Sequence, residues 1–243
     1  MLRPEQDAYG LLVSDHLRGV NVVEIIERDD GYIDTSSGPP AYFAPFPEWP
    51  AHQREAMRHL RGPVLDIGCG AGRVSLYAQE LGLQVVATDV SPLAIETCRK
   101  RGARCAEVVP ITRLSRALGV FATIVMYGNN WGLMGSPERA RWLLRRFRGF
   151  TEPGALVIAE SCDPHKTVNT DHLSYQQRNR ERGRLPGQIR IRVRHRTART
   201  PWFDYLLVSP DEMASIVSGT GWEIGELLMS DGPAYTAVIA RVC

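Results

Sequence analysis

The stretch VLDIGCGAGR, residues 64–73, runs from an apolar segment of strand length into a glycine-rich turn. Gly68, Gly70 and Gly72 follow a G-x-G-x-G spacing, which allows a tight turn and leaves no Cβ between the backbone and a ligand. The segment 73–82 that follows has helical periodicity, and the start of a helix offers unpaired N–H groups to an anion. The stretch therefore predicts a strand–turn–helix unit with an anion-binding turn.

Outward from this unit, short apolar runs alternate with amphipathic segments. The runs are nearly continuous in apolar residues, which is typical of parallel strands covered on both faces. They span residues 64–68, 84–90, 103–109, 121–128 and 155–161. Helical segments separate them, two with Ser-Pro starts at residues 91 and 136. This alternation predicts an α/β fold with a doubly wound, seven-stranded, mostly parallel sheet, closed by an antiparallel pair at 222–229 and 234–242.

Residues 1–62 and about 162–208 do not follow this alternation of strands and helices. Residues 1–62 are expected to form an N-terminal helical cap or lid, with 21–31 open between helix and strand and the proline-rich 36–50 an ordered loop. Residues 63–243 are expected to form the main domain. Within it, about 162–208 reads as an insertion: a polar helix near 170–183 and an antiparallel hairpin of strands 188–196 and 202–208.

The second informative residue is Asp89, which closes the strand after the glycine-rich turn. An acid there accepts hydrogen bonds from both hydroxyls of an adenosine ribose. A nicotinamide-binding turn would read G-x-G-x-x-G, whereas this turn reads G-x-G-x-G and has Asp66 just before it. The combination resembles motif I of the class I (seven-stranded, Rossmann-like) S-adenosylmethionine-dependent methyltransferases, and VVATDVS resembles their ribose-binding segment.

The resemblance covers about residues 60–161 and implies S-adenosyl-L-methionine as cofactor, with S-adenosyl-L-homocysteine as product. It implies that the glycine-rich turn lies against the methionine end of the cofactor, that Asp89 holds the ribose, and that the next residues flank the adenine. The expected cofactor-binding residues are Asp66, Gly68, Cys69, Gly70, Gly72, Asp89, Val90, Ser91 and Tyr127. The acid that many members direct at the adenine amino group has only Glu107 as a counterpart, and no Asn/Asp-Pro-Pro-Tyr signature follows the fourth strand.

Polar residues follow the fourth and fifth parallel strands, at the edge where open α/β sheets bind ligands. Asn129 and Asn130 are candidates to fix an acceptor atom or line the cofactor; an ordinary turn is the alternative. His165 is the candidate general base, since histidine titrates near neutral pH; a solvated loop histidine is the alternative. These three form the candidate catalytic set.

Two further segments have a functional and a structural interpretation. The aromatic segment 42–46 either folds over the cofactor, where aromatic faces attract a sulfonium, or plugs the end of the sheet. Strand 188–196 presents Arg190, Arg192, Arg194 and Arg196 on one face. These arginines form either a wall for RNA or an anionic acceptor, or a solvated face, which we favour.

Composition narrows the function class. The net charge is only +2 among 243 residues, which disfavours a general nucleic-acid-binding surface. Five scattered cysteines fit a reducing cytoplasm and no metal site, and no apolar run spans a membrane. We therefore expect a small-molecule methyltransferase; the alternatives are an RNA or protein methyltransferase and a non-catalytic nucleotide-binding regulator. A homodimer is compatible with the sequence.

Overall fold

In the computed structural model, which describes residues 2–36 and 38–242, the apolar runs form the expected parallel strands. The strands of this main sheet are β3 (Val64–Ile67), β4 (Val85–Asp89), β5 (Ala106–Val108), β6 (Phe121–Met126), β7 (Thr151–Cys162), β11 (Trp222–Met229) and β12 (Ala234–Arg241). Their order is β11-β12-β7-β6-β3-β4-β5. β12 is antiparallel to both of its neighbours, β11 and β7, and all the other neighbouring strands are parallel. The prediction of a seven-stranded, mostly parallel sheet is confirmed.

Helices cover both faces of this sheet. They are α3 (Ala51–Ala56), α4 (Arg73–Glu80), α5 (Pro92–Lys100), α6 (Pro137–Phe147) and α8 (Pro210–Val217). On one face, α6 and α8 pack against a buried core that includes Trp131 and Trp222; on the other, α3 and α4 pack against Val64 and Val125. Burial of apolar side chains on both faces explains why the strands read as continuous apolar runs.

The remaining strands form a second, entirely antiparallel sheet. They are β1 (Ile25–Arg28), β2 (Ile33–Thr35), β8 (Gln188–His195), β9 (Ala198–Arg199) and β10 (Phe203–Leu206). The order is β10-β8-β1-β2, with β9 paired to β8. The N-terminal segment and the insertion after β7 therefore share one sheet. Segment 21–31, which the sequence left open between helix and strand, contains strand β1.

The remaining helices are α1 (Ala8–Leu17), α2 (Pro39–Phe43) and α7 (Thr170–Glu181). The proline-rich segment is not wholly irregular, because Pro39 and Pro40 occupy the first turn of α2, where a missing N–H costs nothing. In the described ranges, no helix is both long and apolar enough to cross a membrane. Cys69, Cys98, Cys105 and Cys162 are free thiols; Cys243 lies outside the described residues.

Asp7 attaches α1 to the main sheet. Its carboxylate accepts hydrogen bonds from the Gly10 amide, from the Ser91 hydroxyl at 2.5 Å and from the Leu93 amide at 2.9 Å. Asp7 thus caps the start of α1 and also binds the start of α5. The N-terminal helix is thereby held beside the carboxyl ends of the parallel strands.

Candidate functional site

The glycine-rich turn connects β3 to α4 in a conformation that favours glycine. Gly68, Gly70 and Gly72 have φ of 70°, 52° and 82°, in the left-handed region. A Cβ on Gly68 would lie 2.5 Å from Nδ2 of Asn130, one on Gly72 would lie 2.5 Å from the Cys98 sulfur, and one on Gly70 would overlap the Tyr9 hydroxyl. The turn therefore needs glycine for its backbone and for the close approach of three neighbours.

Two polar side chains, those of Asp66 and Asn130, support the glycine-rich turn. Asp66, 2% exposed, accepts a hydrogen bond from the Ser75 hydroxyl at 2.7 Å, and burial raises its pKa to about 6 despite that bond. Asn130 donates from Nδ2 to the carbonyls of Ile67 and Gly68, at 3.0 and 2.9 Å. Asn130 thus positions the glycine-rich turn.

Asp89 is the acid at the end of β4. Its carboxylate accepts hydrogen bonds from the Gly70 amide at 3.0 Å and the Ser91 amide at 2.9 Å, and burial raises its pKa. A carboxylate has about four lone-pair sites, so two remain for a ligand. Val90 is exposed, as a residue flanking an adenine needs to be, whereas the Ser91 hydroxyl caps α5 and binds Asp7. Glu107 is exposed on β5.

Glu160, near the end of β7, organises the loop after β6. It is 5% exposed and accepts hydrogen bonds from Gln53 at 2.7 Å and from the amides of Gly128 and Asn129 at 2.6 and 3.0 Å, with His52 at 3.1 Å. Burial raises the pKa of Glu160, but the hydrogen bonds from His52, Gln53 and Asn129 outweigh it and lower that pKa overall. This network was not predicted, because Gln53 and His52 are more than 100 residues away in the chain.

Asn129 adopts a left-handed φ of 60° in that loop. Its carbonyl accepts a 2.5 Å hydrogen bond from the Tyr205 hydroxyl, and its side-chain oxygen lies 3.2 Å from the Cys162 sulfur. Tyr127 has a different role from the one expected. It is 5% exposed, packs against Trp49, and donates its hydroxyl to the Gln53 carbonyl at 2.8 Å. The structure therefore gives Tyr127 a packing role rather than a free position beside the cofactor.

His165 and the aromatic segment also differ from the functional expectation. The His165 ring, 44% exposed, lies 3.3 Å from Glu212 in the first turn of α8, away from the contacts that join the glycine-rich turn, Asp89 and Asn129. In the segment 42–46, Phe43 packs on His16 and Phe46 stacks on Tyr77. Tyr42 contacts Tyr9, and both Tyr42 and Phe43 pack against an apolar cluster that includes Ala71 of the glycine-rich turn.

Four residues lie near one another: Tyr42, from the aromatic segment, and Tyr9, Glu24 and Tyr205, which the sequence did not indicate. The rings of Tyr9 and Tyr42 are 5.7 Å apart, and Tyr42 donates its hydroxyl to Glu24 at 2.7 Å. Burial raises the pKa of Tyr205, with further contributions from Tyr42, Cys162, Glu160 and Glu24. Tyr9 lies on α1, Glu24 directly precedes β1, Tyr42 lies on α2 and Tyr205 lies on β10. These elements are distant in the chain, so only folding brings the four residues together. We call them the tyrosine–glutamate cluster.

The arginine strand is β8, and Arg192 and Arg194 on it are paired with a carboxylate, whereas Arg190 forms no ion pair among the described residues. Arg192 makes two hydrogen bonds to Glu27, at 2.8 and 2.9 Å, and Arg194 reaches the same carboxylate at 3.2 Å. Arg196 lies beyond the end of β8, with φ of 51°, and pairs with Asp15 at 2.7 Å. The expectation that all four arginines share one strand face is therefore wrong for Arg196.

Comparison with known proteins gives the same fold. Residues 64–154 match a family model described as a methyltransferase domain. A S-adenosylmethionine-dependent methyltransferase from Bacteroides fragilis, solved with S-adenosyl-L-homocysteine, is similar with 23% identity and a TM-score of 0.84, over 100% of this chain and 98% of that one. The CcbJ methyltransferase from Streptomyces caelestis is similar with 14% identity and a TM-score of 0.61, over 98% and 99%. CalS10, an amino pentose methyltransferase from Micromonospora echinaspora, is similar with 15% identity and a TM-score of 0.51, over 74% and 83%.

Proposed function

Because this chain has a methyltransferase domain at residues 64–154 and the class I, Rossmann-like fold, we propose that it transfers the methyl group of S-adenosylmethionine to a small-molecule acceptor. The cofactor supplies a methyl group already activated on a sulfonium. The protein's task is to bind both reactants, align them and exclude water.

The site fits this cofactor in three respects. The glycine-rich turn has no room for a Cβ at Gly68, Gly70 or Gly72, and it leads into the N-terminus of α4, which suits a carboxylate. The Asp89 carboxylate retains lone pairs for the ribose hydroxyls. Tyr9 and Tyr42 offer aromatic faces to a sulfonium, an interaction that is favourable when desolvated. In this proposal Val90 flanks the adenine, and Asn129 and Asn130 shape the loop beside the methyl group.

The pairing of the β8 arginines is the observation that carries the small-molecule assignment. A nucleic-acid-binding face needs arginines free to neutralise phosphates. Here Arg192 and Arg194 share the Glu27 carboxylate and Arg196 shares Asp15 with Arg18, so three of the four arginines already have an acidic partner within the protein. The groups beside the methyl site are instead the half-buried tyrosines and buried Glu24, which suit a small acceptor enclosed between the two sheets.

The experiment is incubation with methyl-labelled S-adenosylmethionine and cell extract, separated into small-molecule, RNA and protein fractions. We expect label in the small-molecule fraction, and none with the Asp89→Ala variant. Label confined to RNA or protein would replace the small-molecule assignment. Binding of S-adenosylhomocysteine without label in any fraction would indicate a regulator.

A further inference from the structure

Glu24 is a buried carboxylate whose negative charge is not matched by a neighbouring cation. It directly precedes β1, is 3% exposed, and accepts hydrogen bonds from the hydroxyls of Tyr42, at 2.7 Å, and Ser36. Over residues 2–36 and 38–242, no arginine, lysine or histidine nitrogen comes within 4.0 Å of it. Burying a carboxylate without a cation is unfavourable unless hydrogen bonds or a ligand compensate it.

Two other buried carboxylates, Asp15 and Glu160, have more hydrogen-bonding and charged partners than Glu24. Asp15 is paired with Arg18, His195 and Arg196. These partners outweigh the effect of burial, so the pKa of Asp15 is lowered. Glu160 has backbone amides, Gln53 and His52 as partners. Among the described residues, Glu24 has two hydroxyl groups as hydrogen-bond partners. Of about four lone-pair sites, it therefore has some left to accept an N–H from outside the protein.

Glu24 also lies on the acceptor side of the cofactor turn. Its partner Tyr42 packs against Tyr9, whose hydroxyl lies against Gly70. On the opposite wall, Tyr205 is bound to the Asn129 carbonyl. Glu24 is therefore connected to the glycine-rich turn through Tyr42 and Tyr9, and its charge is among the contributions that, after burial, raise the pKa of Tyr9 and Tyr205.

We propose that the acceptor is a primary or secondary amine and that Glu24 binds its nitrogen. This inference rests on the proposed function. An amine donates N–H to the Glu24 carboxylate, and in its cationic form it balances that charge and lies favourably against the tyrosine rings. Transfer of its proton to Glu24 leaves a neutral amine, whose lone pair attacks the methyl carbon as the methyl–sulfur bond breaks and the neutral thioether leaves. A carboxylate in the same place would be repelled by Glu24, and an alcohol would donate a hydrogen bond to Glu24 without bringing a positive charge to balance it. Glu24 is thus a specificity-determining residue.

The test uses a fragment set of primary and secondary amines, each with the alcohol and the carboxylate of the same carbon skeleton. Saturation-transfer NMR and calorimetry measure their binding to the full chain loaded with S-adenosylhomocysteine. We expect amines to bind in preference to both matched partners. Glu24→Gln should weaken amine binding at least tenfold while changing S-adenosylhomocysteine affinity by less than twofold.

Glu27→Gln is the matched control, since Glu27 lies three residues further along, on β1, and pairs with arginines instead. It should leave amine affinity within twofold of the parent. Equal binding of alcohols, carboxylates and amines in the parent protein would overturn the proposal, even if Glu24→Gln did not fold. Amine affinity unchanged in a folded Glu24→Gln would also overturn it. Failure to bind S-adenosylhomocysteine would instead contradict the proposed function.

Discussion

The Gly70 amide donates a 3.0 Å hydrogen bond to the Asp89 carboxylate, so the glycine-rich turn and the acid at the end of β4 are one unit. The two motifs are separate in the sequence, yet a change in either alters the other. Asp89 also binds the Ser91 amide, whose hydroxyl holds α1 through Asp7. Hydrogen bonds therefore connect the glycine-rich turn, Asp89 and α1.

We expect Gly70→Val to abolish measurable S-adenosylhomocysteine binding, because a side chain there meets the Tyr9 hydroxyl and φ is +52°. Gly82→Val is the matched control: φ is also positive, at +78°, but a Cβ meets nothing within 4 Å. Both variants pay about 1–2 kcal/mol for a left-handed backbone. Calorimetry should show binding lost only at position 70; equal affinities for the two variants would show that the contact is unimportant.

Because the pKa of Asp66 is raised, the free energy of unfolding should decrease as pH rises. Its pKa is about 6 in the folded chain against an ordinary 3.8, so the native state holds the proton more tightly than the unfolded state. The stability that it contributes is full below about pH 3.8 and is lost as pH rises through about 6, by about 3 kcal/mol. Asp66→Asn should remove this decline in urea unfolding across that range. Exposed Glu96→Gln should keep it, and an unchanged slope in Asp66→Asn would contradict the assignment.

Replacing His165 tests whether the site uses a general base. If it is the general base, His165→Ala removes that contribution and kcat falls steeply. Its placement beside Glu212 leads us to expect instead that His165→Ala keeps kcat within about threefold, since a general base contributes about 10²–10⁴-fold. Asn129→Ala should lower kcat, because Asn129 shapes the loop beside the methyl group. A hundredfold loss in His165→Ala would restore the histidine as base.

The expected fold came from local patterns, and the missing parts of the site came from long-range contacts. Continuous apolar runs and Ser-Pro helix starts predicted β3, β4 and β6 and the helices after them, because burial and capping act over a few residues. Nothing local shows that Ile25 pairs with Arg194 on β8 or that Glu27 neutralises Arg192. The same limit hid Glu24 and Tyr9, which approach the site only when α1 and β1 pack. Tyr127 was misassigned because a strand-end residue can face either a ligand or the core.

The β8 arginines test the acceptor class. Replacing Arg190, Arg192, Arg194 and Arg196 together by Gln should leave S-adenosylhomocysteine affinity unchanged. The stability loss should exceed the about 0–1 kcal/mol of an exposed ion pair, since the side chains of Arg192 and Glu27 are only 19% and 15% exposed and that of Asp15 is fully buried. Bulk RNA should bind the parent weakly and with a small salt dependence. Tight RNA binding that falls with a slope of about 0.7 per phosphate contact and disappears in the quadruple variant would favour an RNA methyltransferase.

Calorimetric titration of the parent chain and of Asp89→Ala with S-adenosylhomocysteine and with NAD tests the central claim most directly. The parent should bind S-adenosylhomocysteine and not NAD. Asp89→Ala should weaken that binding by about 1.5–3 kcal/mol, the scale of charge-assisted hydrogen bonds to the ribose. Binding of NAD by the parent, or the same S-adenosylhomocysteine affinity in Asp89→Ala, would contradict the account.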